Sequence, residues 1–260
     1  VARSYEFENI EIHEGAFAEV LDDTRAVNLF ITSPPYNIGS KSEKRLTNRK
    51  YGGYDAKSWQ SITGYEDSLP EDEYQEQQID FLLWCEERLA PGGAIVYNHK
   101  NRHVKGQLIT PYQWLLRLQS KLVIHDEIVW DRGSTHNHAP SFTYPESERI
   151  YVLKRPKEKI YFRNQEFFWS PRGLKGCGDV WQINPAKGNE HNAPFPLHMA
   201  QHCVRLFSRP GDLVCDPYLG SGTSALAAAL ENRAFIGSER VPEYFDLARK
   251  RLRKLLQGAA

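Results

Sequence analysis

The stretch Thr32-Ser33-Pro34-Pro35-Tyr36 offers a set of groups suited to gripping an amino group on a flat ring, which points to transfer chemistry at nitrogen. It follows the β-branched and apolar run Val27 to Ile31, which reads as a buried strand, and two prolines end that strand because neither can donate a ladder hydrogen bond. Carbonyl oxygens and the Ser33 hydroxyl are then acceptors for an NH2 donor, and Tyr36 adds a stacking face. A bare Pro-Pro pair is more often only a turn. A second motif decides the matter. Asp216-Pro217-Tyr218-Leu219-Gly220-Ser221-Gly222-Thr223 follows the short apolar run Leu213 to Cys215 and opens the Ala-rich stretch Ser224 to Leu230. This reads as strand, Gly loop and helix. Glycines let the backbone approach a ligand, and a helix start points free N–H groups outward, so a small nucleoside-type cofactor fits there. Glu239 ends the next strand, Ala234 to Gly237, at about the ~20-residue distance where a carboxylate meets ribose hydroxyls in nucleotide-binding units.

The elements that must position these motifs alternate. Strands are expected at Ile10 to His13, Val27 to Thr32, Ala94 to Asn98 and Leu122 to Trp130, with helices near Phe17 to Leu21, Asp72 to Leu89 and Pro111 to Lys121. Such alternation predicts an α/β fold of the Rossmann-like kind, with a mainly parallel sheet covered by helices on both faces. Glu148 to Lys154 is expected to close a hairpin with Leu122 to Trp130, and Ile160 to Arg163 reads as a further short alternating piece. A helix Leu197 to Phe207 and a basic closing helix Pro242 to Leu256 complete the pattern. The polar stretch Asn37 to Leu69 interrupts it directly after the reactive turn and reads as a mobile lid or DNA-contacting loop.

Composition narrows the class. At 260 residues with 40% hydrophobic content the chain can bury one α/β domain with an insertion. The expected division is a catalytic part over 1–132, an irregular insert over 133–190 and a cofactor-binding part over 191–260. No apolar run approaches the ~20 residues of a membrane span, and Val1-Ala2-Arg3-Ser4 shows no targeting segment, so a soluble cytoplasmic protein is expected. Cys85, Cys177, Cys203 and Cys215 form no Cys-x-x-Cys pair, which suits a reducing compartment and indicates neither a disulfide framework nor a zinc knuckle. His198, His202 and Cys203 lie at helical spacing, but no second cluster completes a coordination shell, and no metal is expected. The formal net charge is zero, yet Lys41, Lys44, Arg45, Arg49 and Lys50 crowd beside the reactive turn, where phosphate contact is the natural reading. A second basic run comprises Lys154, Arg155, Lys157, Lys159 and Arg163. In the insert, His136, Asn137, His138, Trp169, Arg172 and Lys175 offer donors, acceptors and stacking surfaces for base edges.

Together these residues resemble the DNA amino-methyltransferase family, whose members methylate N6 of adenine or N4 of cytosine with S-adenosylmethionine. The catalytic tetrapeptide Ser33-Pro34-Pro35-Tyr36 precedes the cofactor loop, which resembles the circularly permuted beta class. Further blocks match in order: Phe81 to Tyr97, Ile128 to Asp131, His191 to Pro196 and Pro210 to Thr223. Two departures stand out. Gly15-Ala16 replaces the family's usual Gly-Asp, and Ser33 stands where adenine enzymes often carry Asp.

The resemblance implies that Asp216, Tyr218, Gly220, Ser221, Gly222, Thr223 and Glu239 hold S-adenosylmethionine, with Ala193, Phe195 and Pro196 closing over its methionine end. It also implies S-adenosylhomocysteine as product, double-stranded DNA as partner and a bacterial, archaeal or phage source. A homodimer and a cognate restriction endonuclease are frequent companions of such enzymes. Ser33 Oγ and the Pro34 carbonyl are expected to accept the two amino hydrogens of an extruded base. Tyr36 is the expected stacking partner and Trp130 a second candidate, more simply read as a core aromatic. Methylation at cytosine C5 would need a cysteine after a proline, whereas the four cysteines follow Trp84, Gly176, His202 and Val214. The competing readings are methylation of RNA or of a protein amide, and a catalytically silent DNA-binding relative. An NAD-dependent enzyme is more distant, because the loop lacks the full Gly-x-Gly-x-x-Gly spacing.

Overall fold

The computed structural model describes residues 3–22, 26–38, 68–133, 143, 145–161, 164, 178–185 and 196–257. Their strands are β1 (Ser4–Phe7), β2 (Ile10–Glu14), β3 (Val27–Thr32), β4 (Leu89–His99), β5 (Arg102–Val104), β6 (Gln107–Ile109), β7 (Val123–Asp131), β8 (Ser147–Lys154), β9 (Val180–Gln182), β10 (Leu213–Asp216) and β11 (Ala234–Glu239). The helices are α1 (Phe17–Val20), α2 (Glu71–Arg88), α3 (Tyr112–Leu115), α4 (Leu197–Phe207), α5 (Thr223–Leu230) and α6 (Pro242–Gln257). Nine strands form one sheet in the order β1-β2-β11-β10-β3-β4-β8-β7-β9, while β5 and β6 make a separate hairpin. The central run from β2 to β4 is parallel throughout. β8 pairs antiparallel with both β4 and β7, so the expected hairpin is present.

Period-two patterning explains why both faces are covered. Leu29 and Ile31 of β3, with Ala94 and Val96 of β4, join the core beneath α4, α5 and α6. Their neighbours Phe30, Ile95 and Tyr97 join a second core beneath α2 and α3. Alternate residues of a strand point to opposite faces, so each apolar strand feeds both layers. A register irregularity between Val27 and Leu29 puts Val27 in the second core rather than the first. α2 starts after Pro70 with Glu71, Asp72 and Glu73 in its first turn and carries Arg88 in its last, a charge order that complements the helix dipole. It buries Tyr74, Gln78, Phe81, Leu82 and Cys85 against the sheet.

Several expectations need correction. The stretch Pro111 to Lys121 is not one helix: α3 tightens into a 3-10 turn over Leu116–Leu118. Ile160 and Tyr161 form no strand; Tyr161 N–H instead makes a loop contact with the Gly92 carbonyl at 2.8 Å. The short strands β1, β5, β6 and β9 were not anticipated, being three or four residues each. Among the described residues no helix is long and apolar enough to cross a membrane.

Candidate active site

β3 and β10 are parallel neighbours, with Val214 opposite Leu29 and Cys215 opposite Phe30. Chain order runs outward from this pair in opposite directions, from β10 to β11 on one side and from β3 to β4 on the other. Open α/β sheets place ligands at such a switch point, beyond the carboxyl ends of the strands. Ser33-Pro34-Pro35-Tyr36 leaves β3, and Asp216 opens the Gly loop after β10, at the same edge of the sheet. Two motifs more than 180 residues apart in the chain are thereby brought side by side.

The tetrapeptide is held by hydroxyl groups and one carboxylate. Tyr36 is half-buried, and its Oη lies 2.7 Å from Ser33 Oγ and 3.1 Å from Glu148 Oε2. Asn98 Nδ2 donates to Tyr36 Oη at 2.6 Å, to Glu148 Oε2 at 3.1 Å and, more weakly, to Ser33 Oγ at 3.3 Å. Burial and the nearby Glu148 charge push the Tyr36 phenol well above its ordinary range, so it stays protonated. The Tyr36 ring leans on His99 at 4.7 Å between centroids, with Lys100 Nζ 5.5 Å from its own centroid. Pro34 is buried, and the Pro35 carbonyl accepts from Tyr74 Oη at 2.8 Å. Tyr74 Oη also lies 2.7 Å from His99 Nε2; with His99 Nδ1–H donating to the Lys100 carbonyl at 2.8 Å, Nε2 of the neutral ring accepts, and the one Tyr74 proton is shared between Nε2 and the Pro35 carbonyl. Complete burial lowers the His99 pKa to about 3, which keeps the ring neutral at physiological pH.

The loop after the tetrapeptide is pinned at its base. Asn37, at φ 53°, donates from Nδ2 to the Leu69 carbonyl at 3.0 Å and accepts from Leu69 N–H at 2.8 Å. Arg102 then grips Glu71 through its two terminal guanidinium nitrogens, at 2.8 and 2.9 Å, and lies over the Tyr74 ring.

The Gly loop is held by different means. Glu239 is 1% exposed; its Oε2 accepts from Gly220 N–H and its Oε1 from Val241 N–H, each at 2.8 Å. Its backbone carbonyl accepts from Gly15 N–H at 2.9 Å, which brings the Gly15-Ala16 departure to the same corner. Asp216 accepts from Ser224 Oγ at 2.6 Å and from Tyr218 N–H at 3.0 Å. Burial, helped by the Glu239 charge, nonetheless raises its pKa to about 6, hydrogen bonding offsetting only part of the desolvation. Gly220 and Gly222 adopt φ 55° and 83°, a region other residues enter at a cost. A Cβ on Gly222 would lie 2.8 Å from that of Ala248, so its bareness also lets α5 meet α6. Arg251 of α6 donates to the Ser221 carbonyl and hydroxyl at 2.6 and 2.8 Å and to Thr223 Oγ1 at 3.2 Å. Tyr218 packs edge-on against Phe17 and Phe81, and Pro196 caps the start of α4.

The remaining expected contacts divide clearly. Lys41, Lys44, Arg45, Arg49, Lys50, His136, Asn137, His138, Trp169, Arg172, Lys175, Ala193 and Phe195 lie outside the described residues. Trp130 is a core residue whose indole N–H donates to the Ile183 carbonyl at 2.7 Å. The second basic run begins at the far end of β8, where Lys154 caps three backbone carbonyls and Arg155 bonds Glu86. His202 is buried against Trp181 and His198, its pKa lowered to about 4 mainly by burial. Among the described residues, no group of three His, Cys, Asp or Glu could hold a metal ion. Sequence reading missed Asn98, Glu148, Tyr74, His99 and Arg251, none of which belongs to either motif.

Comparison with known proteins agrees with this geometry. A family model described as DNA methylase matches residues 27–250. The type II methyltransferase M.BglI of Bacillus subtilis is 26% identical over 92% of this chain and 84% of its own. The PvuII DNA methyltransferase, a cytosine-N4-specific enzyme, superposes with a TM-score of 0.71 at 20% identity, covering 95% of this chain and 87% of that one. The complex of M1.HpyAVI with SAM superposes at 0.64 and 20% identity, covering 94% and 98%.

Proposed function

The chain belongs to the N6/N4-type DNA methylase family, and on that premise we propose that it moves a methyl group from S-adenosylmethionine to the exocyclic amino group of a DNA base, N4 of cytosine or N6 of adenine. The observation that carries this reading is the meeting of tetrapeptide and Gly loop at one switch point of the sheet. The acceptor chemistry of the loop fits the cofactor. A carboxylate offers about four lone-pair sites, and Asp216 spends one on Ser224 and one on Tyr218, which leaves capacity for an ammonium or hydroxyl donor. Glu239, at the tip of the neighbouring strand, is the residue for the ribose hydroxyls.

The bound cofactor supplies an electrophilic methyl carbon; the chain supplies position and charge. An amino nitrogen on an aromatic base is a poor nucleophile because its lone pair is delocalised into the ring. Ser33 Oγ and the Pro34 carbonyl, accepting its two hydrogens, favour a pyramidal nitrogen and stabilise the positive charge that develops. Neutral His99 and Tyr74 brace the tetrapeptide from behind through the Pro35 carbonyl. Tyr36 presents its ring to the extruded base, and Lys41 to Lys50 supply phosphate contacts.

Incubating the protein with duplex DNA and labelled S-adenosylmethionine, then identifying the modified nucleoside, tests the reading. The expected product is N4-methylcytosine or N6-methyladenine. Recovery of 5-methylcytosine alone, or of label only in RNA or protein competitors, would overturn it.

A further inference from the structure

Glu148 belongs to neither motif, yet it ends the hydroxyl chain at the tetrapeptide. It stands near the start of β8, opposite Trp130 of β7, and is 7% exposed. Its Oε1 accepts from Arg132 Nη1 at 3.2 Å, and its Oε2 meets Tyr36 Oη and Asn98 Nδ2 at 3.1 Å each. As the carboxylate partner of Arg132 it can only accept hydrogen bonds. This sets the direction of every proton in the chain. Tyr36 must donate to Glu148, and Asn98 Nδ2 donates to Tyr36 at 2.6 Å. With the Tyr36 proton committed, Ser33 is the donor in the 2.7 Å contact between Ser33 Oγ and Tyr36 Oη. Ser33 is then left with lone pairs to offer an incoming amino group.

We propose that Glu148 is a positioning residue and the terminal proton acceptor of the reaction, acting through Tyr36 to hold Ser33 as an acceptor and to receive the proton that the target nitrogen sheds. The proposal rests on the function proposed above. As the nitrogen–carbon bond forms and the carbon–sulfur bond breaks, the sulfur keeps the electron pair and becomes a neutral thioether, while the nitrogen gains positive charge. One N–H proton then passes to Ser33 Oγ as Ser33 passes its own to Tyr36 Oη and Tyr36 passes its own to Glu148. The nitrogen ends neutral, and Glu148 ends as a carboxylic acid that later releases its proton to solvent.

The test is single-turnover methyl transfer to DNA by wild type, Glu148→Gln, Tyr36→Phe and the double variant, with melting temperature and both Kd values read alongside. Glu148→Gln keeps the side-chain shape but offers a donor to Tyr36, so transfer should fall about a hundredfold while the Kd values hold. Tyr36→Phe keeps the ring and cuts the relay, with a similar fall. Groups acting in series are not additive, so the double variant should be no slower than the slower single variant. A wild-type rate in Glu148→Gln, or losses that multiply in the double variant, would overturn the relay. If Glu148→Gln fails to fold, a wild-type rate in Tyr36→Phe overturns it equally. A wild-type protein that transfers no methyl to DNA defeats the proposed function itself, a result separate from either of these.

Discussion

The two halves of the site are built from different materials. At the tetrapeptide, side chains from β4, β8 and α2 form chains of hydroxyl, amide and imidazole groups behind Ser33 and Pro35. At the Gly loop, carboxylates of β10 and β11 hold backbone N–H groups, and Arg251 fixes the turn from behind. The first arrangement can pass or orient protons. The second has few mobile protons and instead fixes a shape. Under the proposed function chemistry falls to one side and grip to the other, and variants on the two sides should then fail differently.

Ser33→Ala sharpens this contrast most. Losing one group that stabilises developing charge costs about 10²–10³ in kcat, and calorimetry should show an unchanged Kd for S-adenosylmethionine. A weakened Kd would mean that the two sides are not separate. Glu239→Gln should behave in the opposite way. It removes the charge that holds Gly220 and Val241 and that the proposed function assigns to the ribose, so Kd for S-adenosylmethionine should rise by about 10- to 100-fold, a loss of roughly 1.5–3 kcal/mol for hydrogen bonds to a charged group. The single-turnover rate at saturating cofactor should change far less.

Acid titration separates wild type from a variant by the smallest margin, roughly 1 kcal/mol, and draws on buried groups that respond to acid in opposite directions. The depressed pKa of His99, about 3, means that its contribution is present in full above about pH 6.5 and is lost as pH falls from 6.5 towards 3. His202, with a pKa of about 4, behaves likewise. Each should cost roughly 2 kcal/mol between pH 7 and pH 5. Asp216, raised to about 6, runs the other way, since the folded state binds its proton more readily than the unfolded chain. It should return roughly 1 kcal/mol over the same interval. Urea denaturation at pH 7 and pH 5 should therefore show a net loss of roughly 3 kcal/mol for wild type and roughly 4 kcal/mol for Asp216→Asn. An identical slope in Asp216→Asn would refute the raised carboxyl.

Much of the fold and both motifs were legible in the sequence, but the side chains that set this contrast were not. The boundaries of β3 and α4 matched their expected ranges, because Val27 to Thr32 and Leu197 to Phe207 are apolar runs with sharp chemical ends. Spacing from the Gly loop singled out Glu239 as a ribose ligand, and the structure adds a hydrogen bond to it from Gly220 N–H. Glu148 could not be connected to Tyr36 in this way. The two are 112 positions apart, and their contact depends on β8 pairing antiparallel with β4, which only the tertiary fold determines. The role of Gly222 shows the same limit. Its motif position suggested close approach to a ligand, whereas the neighbour that most tightly constrains it is Ala248 of the last helix. Strands as short as β5, β6 and β9 fall below the window in which alternation can be recognised.

The paired bonds between Asn37 and Leu69 carry a consequence for the length of chain between them. They close a ring of chain at its root, so a change in the length of that ring need not displace Ser33 to Tyr36. The entropic penalty of a longer ring grows only logarithmically, roughly 0.6 kcal/mol for each doubling. That root works as a socket: the contacts that hold it belong to the scaffold, whatever length of chain they close.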